Sequence, residues 1–496
     1  MNSQKRPNIL FMLSDDQGAW AMHCAGNPEL ITPSLDRLAE EGIRFDNFFC
    51  VSPVCSPARA SLLTGRIPSA HGIHDWLLKG NILDSGDQYG YRGKDRPVEY
   101  LAGISGFTEY LAEAGYRCGL SGKWHMGDSA NPQKGFQDWY AHGFGGGNYQ
   151  HYQVFENGKI VTKTKYVTDE FTDRALEMLE EYARTPDQPF FLAVTYTAPH
   201  SPWDRCEHLP EDWALYDDCK FESLPDLPPH PWGSACRPDD PAKRREHLQG
   251  YFTAITAMDR NIGRLMAKLE ELHLREDTIV VFAGDNGMSM GQHGIWGKGN
   301  GTYPLNMYDT SVKVPFLISC PGRLPQGVVD EELRSHYDWF PTVLDYLGIE
   351  NPEAEALPGR SFASLLRGED AAGSSHVVVF DEYGPVRMIR SRRWKYVHRY
   401  PAGPHELYDL EQDPGEDHNR IDDPACADVV EEMRKNLREW FLRYTDPARD
   451  GVYENVTGNG QLGLCGAASG GLEAFVPWEE AAAKAAMRRF ETENEV

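Results

Sequence analysis

The chain contains 496 residues, of which 41% are hydrophobic and 11% aromatic. This length and composition allow a large core and predict two domains. The 49 basic and 75 acidic side chains give a formal net charge of -26, which argues against nucleic acids, anionic membranes and long sulfated polymers as partners. A local basic pocket for a small anion remains compatible with that charge.

The N-terminus shows no export signal. Residues 1–7 are polar, and the apolar run Asn8–Leu13 that follows is too short for a signal-peptide core and ends in acids. No apolar stretch approaches the length of a membrane span. We therefore expect a cytoplasmic protein whose ten cysteines are free thiols. Cys206, Cys219 and Cys236 have a spacing that fits no common zinc pattern.

Apolar β-rich runs alternate with helical stretches over the first 347 residues. The predicted strands are Asn8–Ser14, Tyr116–Leu120, Phe190–Tyr196, Thr278–Ala283 and Pro315–Ser319. The predicted helices are Thr32–Glu41, Phe107–Ala114, Thr168–Arg184, Glu246–Leu272 and Tyr337–Leu347. This alternation predicts an α/β fold with a large, mixed but mostly parallel central sheet sandwiched by helices. Residues 200–243, rich in Pro and acids, are expected to form a long surface excursion.

After about residue 370 the pattern changes to short strands joined by tight turns. We predict strands at His376–Phe380, Val386–Ser391 and Trp394–His398, a helix at Val429–Tyr444, a loop at Tyr453–Gly471 and a terminal helix at Trp478–Glu493. These elements predict a smaller C-terminal α+β subdomain with a short antiparallel sheet. The expected division is a catalytic domain at 1–370 and the subdomain at 371–496.

The run Cys55-Ser56-Pro57-Ala58-Arg59 predicts a reactive residue at a helix start. Ser56 is a good N-cap, and Pro57 suits the first helical position. Gly65 can end the short helix. Cys55 is therefore expected just before a helix N-terminus, where backbone N–H groups favour an anion. A structural cysteine buried beside a capped helix is the alternative.

Two acidic motifs follow predicted strands directly. Asp15 and Asp16 follow the first strand, and Asp285 and Asn286 follow the strand Thr278–Ala283. Because strand C-termini converge on the ligand crevice of an α/β sheet, the four side chains are expected to form an oxygen-rich cage. Such a cage suits Ca²⁺ or Mg²⁺ rather than zinc. Solvated turns are the alternative for each motif taken alone.

Basic and imidazole side chains occur in the same setting. Lys123 and His125 follow the strand near Tyr116–Leu120 and are expected to point the same way on an extended segment. His200 follows the strand Phe190–Tyr196, and Lys298 comes shortly after Asp285. Each alone would be a solvated loop residue, but their repeated placement after strand ends favours a common site.

Together these segments resemble the formylglycine-dependent type I sulfatases of the alkaline phosphatase superfamily. In that family a Cys-x-Pro-x-Arg pattern marks the cysteine that is converted to Cα-formylglycine. The resemblance runs from Arg6 to about Gly322 and continues more weakly through Glu406–Pro414. The matching blocks are Pro7–Gln17, Cys55–Gly65, Gly122–His125, Ala198–His200, Gly284–Gly287 and Lys298.

The resemblance implies a role for each matched residue. A sulfatase-maturing enzyme would convert Cys55 to formylglycine, whose hydrate is the nucleophile. A divalent cation, with Ca²⁺ favoured over Mg²⁺, would bind residue 55 and four oxygen-bearing side chains: Asp15, Asp16, Asp285 and Asn286. Arg59 and Lys123 would hold the hydrate, and His125 would be the base that expels sulfate. Lys298 would contact sulfate oxygens, and His200 would protonate or stabilise the leaving oxygen.

The substrate is expected to be a small sulfated molecule, most plausibly a sulfated mono- or disaccharide. His74 and Trp76 would line the pocket or serve in packing. Trp203 and Arg205 would touch a sugar ring and an acid group, and Arg387 is a candidate because the C-terminal subdomain packs beside the pocket in the family. The alternatives are an aryl or steroid sulfatase, a phosphatase or phosphonate monoester hydrolase on the same scaffold, and a non-catalytic carbohydrate-binding protein.

Overall fold

A computed structural model describes residues 6–78, 97–156, 159–233, 238, 240–379, 385–477 and 479. Cys236 lies outside these ranges, as does the predicted helix Trp478–Glu493 apart from residue 479. In the described ranges, no helix combines the length and apolarity that crossing a bilayer requires.

Fourteen strands precede residue 336 within the described ranges. They are β1 Asn8–Ser14, β2 Gly42–Phe45, β3 Phe48–Phe49, β4 Arg117–Lys123, β5 Asp138–His142, β6 Tyr152–Glu156, β7 Lys159–Lys163, β8 Phe190–Thr195, β9 Thr278–Gly284, β10 Ser289–Met290, β11 Trp296–Gly297, β12 Phe316–Ser319, β13 Val328–Asp330 and β14 Arg334–Ser335. The five strands predicted for this part of the chain are confirmed with shifts of at most a few residues at their ends.

The α-helices alternate with these strands as the sequence predicts. They are α1 Pro33–Glu40, α2 Cys55–Thr64, α3 Pro68–His71, α4 Phe107–Glu113, α5 Val167–Tyr182, α6 Pro210–Ala214, α7 Pro241–Glu271, α8 Asp309–Val312, α9 His336–Tyr346, α10 Ala363–Leu366 and α11 Ala427–Tyr444. Helix α7 begins earlier than predicted because Asp240 caps it, accepting a hydrogen bond from the Ala242 amide, and Pro241 occupies its first position.

The central sheet has the strand order β13-β2-β12-β9-β1-β8-β4-β5-β6-β7 among the described residues. Its middle strands β9, β1, β8 and β4 are mutually parallel, whereas β12 runs antiparallel to β9, and β6 to β5. The predicted mixed, mostly parallel sheet is confirmed. The carboxyl ends of four neighbouring strands therefore meet at one edge of the sheet.

Helices cover both faces of this sheet. Along β1, the alternating residues Ile9 and Phe11 join a core that includes Leu62 of α2 and Trp339 of α9. Leu10, between them, joins the opposite core with side chains of α5 and α7. Because alternate strand residues face opposite sides, β1 is buried on both. Helix α2, anchored on one face, is held at the edge where the strands end.

A four-stranded antiparallel sheet follows the central sheet in the chain. Its strands are β15 Val377–Val379, β16 Val386–Arg390, β17 Trp394–Arg399 and β18 Glu406–Asp409. A buried charge cluster ties this sheet to α8: Lys395 on β17 hydrogen-bonds to Asp309 at 2.6 Å and to Glu416 at 2.5 Å. The predicted short antiparallel sheet and its helix are confirmed.

Candidate active site

Four neighbouring strand ends bring the predicted site residues together. Strand β1 leads into Asp15 and Asp16, β9 into Asp285, and β8 into the turn that carries His200, while β4 ends at Lys123. The Asp15 amide donates to the Ala198 carbonyl and the Asp285 amide to the Ser14 carbonyl, so the strand pairing extends into the site. The shared strand direction thus explains why residues far apart in sequence are adjacent here.

Cys55 lies at the first position of helix α2. The helix is two residues longer at this end than the cap signals suggest, because Val54 rather than Ser56 occupies the N-cap position. Ser56 instead accepts a hydrogen bond from the Leu77 amide at 3.1 Å. Gly65 ends the helix in the left-handed conformation, as predicted. Cys55 is 3% exposed, and burial, reinforced by Asp15, raises the pKa of its thiol to about 12.

The acidic side chains form one buried cluster. An oxygen from each of Asp15, Asp16 and Asp285 lies within 4.8 Å of the others. Asn286 completes the group, donating from Nδ2 to Asp16 Oδ1 at 2.8 Å. Asp15 Oδ1 and Asn286 Oδ1 are buried and accept no hydrogen bond from any part of the chain that the structure describes. Because buried oxygens without partners are costly, this set fits a hard cation that would use them as ligands.

Three cationic side chains face the three carboxylates. Lys123 Nζ lies 2.5 Å from Asp15 Oδ2, Lys298 Nζ lies 2.5 Å from Asp16 Oδ1, and Arg59 Nε lies 2.9 Å from Asp285 Oδ2. Lys298 Nζ also lies 3.0 Å from Cys55 Sγ. The formal charges of these six side chains balance, so a bound divalent cation would leave the site positive and favourable for a sulfate ester.

Burial and the neighbouring charges set the protonation states of this cluster. Burial opposes ionisation of Asp15, but Lys123, His200 and Arg59 outweigh it and hold the pKa of that carboxyl well below its usual range. Burial together with the charge of Asp15 raises the pKa of Asp285 to about 7. A bound cation would lower this pKa, since it favours the ionised form.

His125 and His200 both lie near the sheet-end cluster. His125 Nε2 donates to the Leu77 carbonyl at 3.1 Å, and burial holds the pKa of its ring well below the usual value. Its φ of 56° is left-handed, so the expected extended segment ends at Lys123, the last residue of β4. His200 Nε2 lies 3.6 Å from Asp16 Oδ2. The structure therefore brings both histidines to the predicted site.

The glycine run 145–147 contacts both histidines, which the sequence reasoning missed. A Cβ added at Gly145 would lie 2.1 Å from His125 Cε1, and one at Gly146 would lie 3.1 Å from His200 Cε1. Only glycine allows the backbone so close to the two rings. Three consecutive glycines after strand β5 were the available signal for this approach.

The predicted substrate contacts fall into two groups. His74 is 1% exposed and bonded through Nε2 to the Arg449 carbonyl, and Trp203 is packed with its indole N–H on the Pro199 carbonyl. The Arg387 guanidinium lies 3.9 Å above the Phe441 ring of α11. Each of these three side chains therefore has a packing or hydrogen-bond partner within the protein. Trp76 is half-buried and Arg205 is exposed, so both present surface to solvent.

Sequence comparison identifies the family to which this site belongs. A profile of the sulfatase family matches residues 7–349, which contain the acidic cluster, the three cationic side chains that face it, and His125 and His200. The chain belongs to the sulfatase family. A second profile, that of the N-sulphoglucosamine sulphohydrolase C-terminal region, matches residues 291–442. The sulfatase thus resembles known members across both sheets.

Several relatives match nearly the whole sulfatase. The sulfatase YidJ of Escherichia coli is 31% identical, covering 90% of this chain and 89% of its own. The N-acetylglucosamine-6-O-sulfatase of Bacteroides thetaiotaomicron is 28% identical, covering 89% and 87%. A solved structure, in complex with its substrate D-glucosamine-2-N,6-O-disulfate, superposes with a TM-score of 0.73 at 25% identity, covering 90% of this chain and 100% of that one.

Proposed function

We propose that this sulfatase hydrolyses a small sulfated mono- or disaccharide, using formylglycine at position 55 and a Ca²⁺ ion. The observation that carries the proposal is the arrangement around Cys55. Lys298 lies 3.0 Å from Cys55 Sγ, and the oxygen-rich cluster lies beside it, with Asp16 Oδ1 at 3.9 Å from the same sulfur.

The chemistry of Cys55 itself supports its conversion. A thiol with a pKa of about 12 stays protonated at neutral pH and is a weak nucleophile. Formylglycine at this position would supply, as its hydrate, one hydroxyl to attack sulfur and a second to expel sulfate, so that no water need attack the sulfur centre. The Cys-x-Pro-x-Arg pattern that a maturing enzyme recognises is complete in Cys55, Pro57 and Arg59.

The acidic cluster supports the choice of cation. All the candidate ligands are oxygens, from Asp15, Asp16, Asp285 and Asn286, and this donor set suits Ca²⁺ or Mg²⁺. A bound cation would supply Lewis acidity, lowering the pKa of the nucleophile and polarising the sulfate. We favour Ca²⁺ because a set of protein carboxylate and amide oxygens is typical of Ca²⁺ sites, whereas Mg²⁺ usually keeps several water ligands.

The cationic and imidazole side chains would serve the two halves of the reaction. Arg59 and Lys123 would hold the nucleophile, and Lys298 would contact the sulfate oxygens. His200 would donate a proton to the alcohol oxygen as the S–O bond to the alcohol breaks. His125 would then accept the proton whose removal lets sulfate leave residue 55. Hydration of the regenerated aldehyde completes the cycle, so the net reaction consumes one water per ester.

The expected substrate class rests on the relatives and on charge. The curated relatives include an N-acetylglucosamine-6-O-sulfatase and the human N-sulphoglucosamine sulphohydrolase. The net charge of -26 disfavours long sulfated polymers, nucleic acids and anionic membranes. We propose a cytoplasmic enzyme that acts on imported small sulfated sugars, with Trp76 and Arg205 at the rim of the pocket.

The mass of the tryptic peptide Phe45–Arg59 tests the nucleophile directly. The protein would be co-expressed with a sulfatase-maturing enzyme, and Cys50 in the same peptide serves as the unmodified control. An aldehyde at position 55 is expected. If Cys55 remains a plain thiol while the same maturing enzyme converts a control sulfatase, the proposal is refuted.

Matched substrates test the reaction class and the sugar. We expect kcat/KM to be higher for 4-nitrophenyl sulfate than for 4-nitrophenyl phosphate. We also expect kcat/KM to be higher for a sulfated glucosamine than for a steroid sulfate. Metal analysis of the purified protein should find calcium. A preference for phosphate or phosphonate esters would instead favour the alternative hydrolase on this scaffold.

A further inference from the structure

The Leu77 carbonyl determines which nitrogen of His125 is available as a base. A carbonyl oxygen can only accept, so the 3.1 Å contact requires a proton on His125 Nε2. Nδ1 is then the unprotonated nitrogen of the neutral ring, and it is buried without a hydrogen-bond partner among the residues that the structure describes. The ring is thus held in one tautomer with Nδ1 free to accept a proton.

Both backbone polar groups of Leu77 form hydrogen bonds to side chains near the site. Its amide donates to Ser56 Oγ at 3.1 Å, next to the nucleophile position, and its carbonyl accepts from His125. Leu77 is 2% exposed and pairs with Gln461 in a parallel bridge. The backbone of Leu77, through two adjacent peptide units, therefore links helix α2, His125 and the C-terminal part of the chain.

Residues 457–476, here called the C-terminal strap, are hydrogen-bonded to one another and also contact the segment around Leu77. The Leu462 amide donates to the Ala474 carbonyl, and the Val476 amide donates to the Gly460 carbonyl. The strap then hydrogen-bonds to residues 72–78, and its Gly460 amide donates to Asp75 Oδ2 at 3.0 Å. These contacts join the last part of the described chain to a segment about 385 residues earlier.

Gln461 is the centre of this contact and is fully buried. Its side chain donates from Nε2 to the Gly72 carbonyl at 3.0 Å and accepts at Oε1 from the His74 amide at 2.9 Å. Its backbone amide donates to the Trp76 carbonyl, and its carbonyl accepts from the Leu78 amide. The side chain and the backbone of this one residue therefore fix the path of residues 72–78 on both sides of Leu77.

We propose that Gln461 is a positioning residue for His125, acting through the Leu77 carbonyl on the step that releases sulfate. This inference rests on the proposed function, because it assigns His125 the role of base in the second half of that reaction. A carbonyl displaced by about 1 Å would release His125 Nε2 and misdirect Nδ1, and such shifts cost up to about 10²-fold in rate.

The test replaces Gln461 by Met, which keeps the side-chain volume and removes its hydrogen bonds. With 4-nitrophenyl sulfate, slower sulfate release lowers kcat and KM together and leaves kcat/KM nearly constant, because kcat/KM reports only the steps up to loss of the alcohol. We expect kcat to fall about 10- to 100-fold, with one equivalent of nitrophenol released in a burst before the steady state. Hydrogen exchange at the amides of residues 74–78 should also accelerate, independently of activity.

Two further variants separate positioning from general damage. Ser56→Ala removes the hydrogen bond that the Leu77 amide donates and should give the same parallel fall of kcat and KM. Gln249→Ala is the matched control, since Gln249 is also buried and bridges Trp213 and Asp217 through Nε2 far along the chain from Leu77. It should leave kcat and KM unchanged. All rates are divided by the formylglycine content measured by mass.

The outcomes are distinct. The proposal would be overturned if Gln461→Met shows faster hydrogen exchange at residues 74–78 but keeps the wild-type kcat. It would also be overturned if kcat falls at unchanged KM without a burst, because that result signals only a loss of active protein. A wild-type enzyme that carries formylglycine but releases no sulfate would refute the proposed function and the assignment of His125 with it.

Discussion

Lys395→Met should destabilise the protein strongly, because it breaks a buried charge cluster and leaves its acids behind. Lys395 is 0% exposed and hydrogen-bonds to Asp309, Glu416 and the Met307 carbonyl. Asp309 retains Arg390 at 3.3 Å, but Glu416, 3% exposed, loses its cation. Removing one partner of such a buried pair costs about 3–5 kcal/mol, and we expect a loss of that size in the free energy of unfolding.

The loss should grow with pH. Burial already raises the pKa of Glu416 to about 7 against the lowering effect of Lys395. Without Lys395, Glu416 in the folded variant keeps its proton, whereas in the unfolded chain it loses that proton near the ordinary glutamate pKa. Both proteins therefore lose stability between about pH 4.5 and 7, where the unfolded chain has released this proton and the folded chain has not. The loss caused by the substitution grows above about pH 7, where Glu416 ionises in the wild type but stays protonated in the variant.

Urea unfolding at pH 5.5 and 8.0, followed by tryptophan fluorescence, measures both effects. Lys435→Met is the matched control, since that lysine is 68% exposed and its ion pair at 3.9 Å should contribute less than about 1 kcal/mol. Lys395→Met with Glu416→Gln should recover part of the loss because the uncompensated acid is gone. A Lys395→Met variant within about 1 kcal/mol of the wild type, or no recovery in the double variant, would refute this reasoning.

Four further predictions concern the site and the fold. Cys55→Ser should be sulfated at most once, since a serine ester has no second hydroxyl to expel sulfate; repeated turnover in a sulfate-release assay would contradict the mechanism. Asp16→Asn should bind Ca²⁺ at least about tenfold more weakly in calorimetry, and unchanged affinity would remove Asp16 from the ligand set. His200→Asn should lower kcat/KM about 10²-fold for a sugar sulfate but much less for 4-nitrophenyl sulfate, whose leaving group needs no proton; equal losses would exclude proton donation. Burial raises the pKa of Asp259 to about 6, although its carboxylate accepts hydrogen bonds from the Ser34 and Leu35 amides. In thermal unfolding, the wild type should therefore lose stability relative to Asp259→Asn as pH rises from about 4 through 6. A constant difference between the two proteins would contradict this prediction.

The position of the site followed from local sequence because each of its parts comes just after a strand. Asp15 and Asp285 are preceded by apolar runs whose length and β-branched content predict buried strands. Parallel strands then place these carboxylates at one edge without further information. The Cys55 run added a helix start at the same edge, so both the fold class and the cluster of charged residues were predictable.

Details of backbone geometry were less predictable. The N-cap of α2 shifted from Ser56 to Val54 because Ser56 is engaged with the Leu77 amide, a tertiary contact that outweighs its local capping preference. His125 turns into the left-handed region because its ring reaches the Leu77 carbonyl. Both departures have the same cause, a hydrogen bond to a segment that lies distant in sequence.

The amino-acid sequence by itself determined the α/β architecture and predicted the acidic and basic residues of the site and the reactive position, since each depends on short local patterns. Tertiary structure alone decided which groups His74, Trp203 and Arg387 pack against and that Gln461 reaches the segment beside His125. The physical reason is that burial and hydrogen-bond partners depend on which distant segments meet, as when Gln461 accepts from the His74 amide across 387 residues. No local periodicity records such a contact.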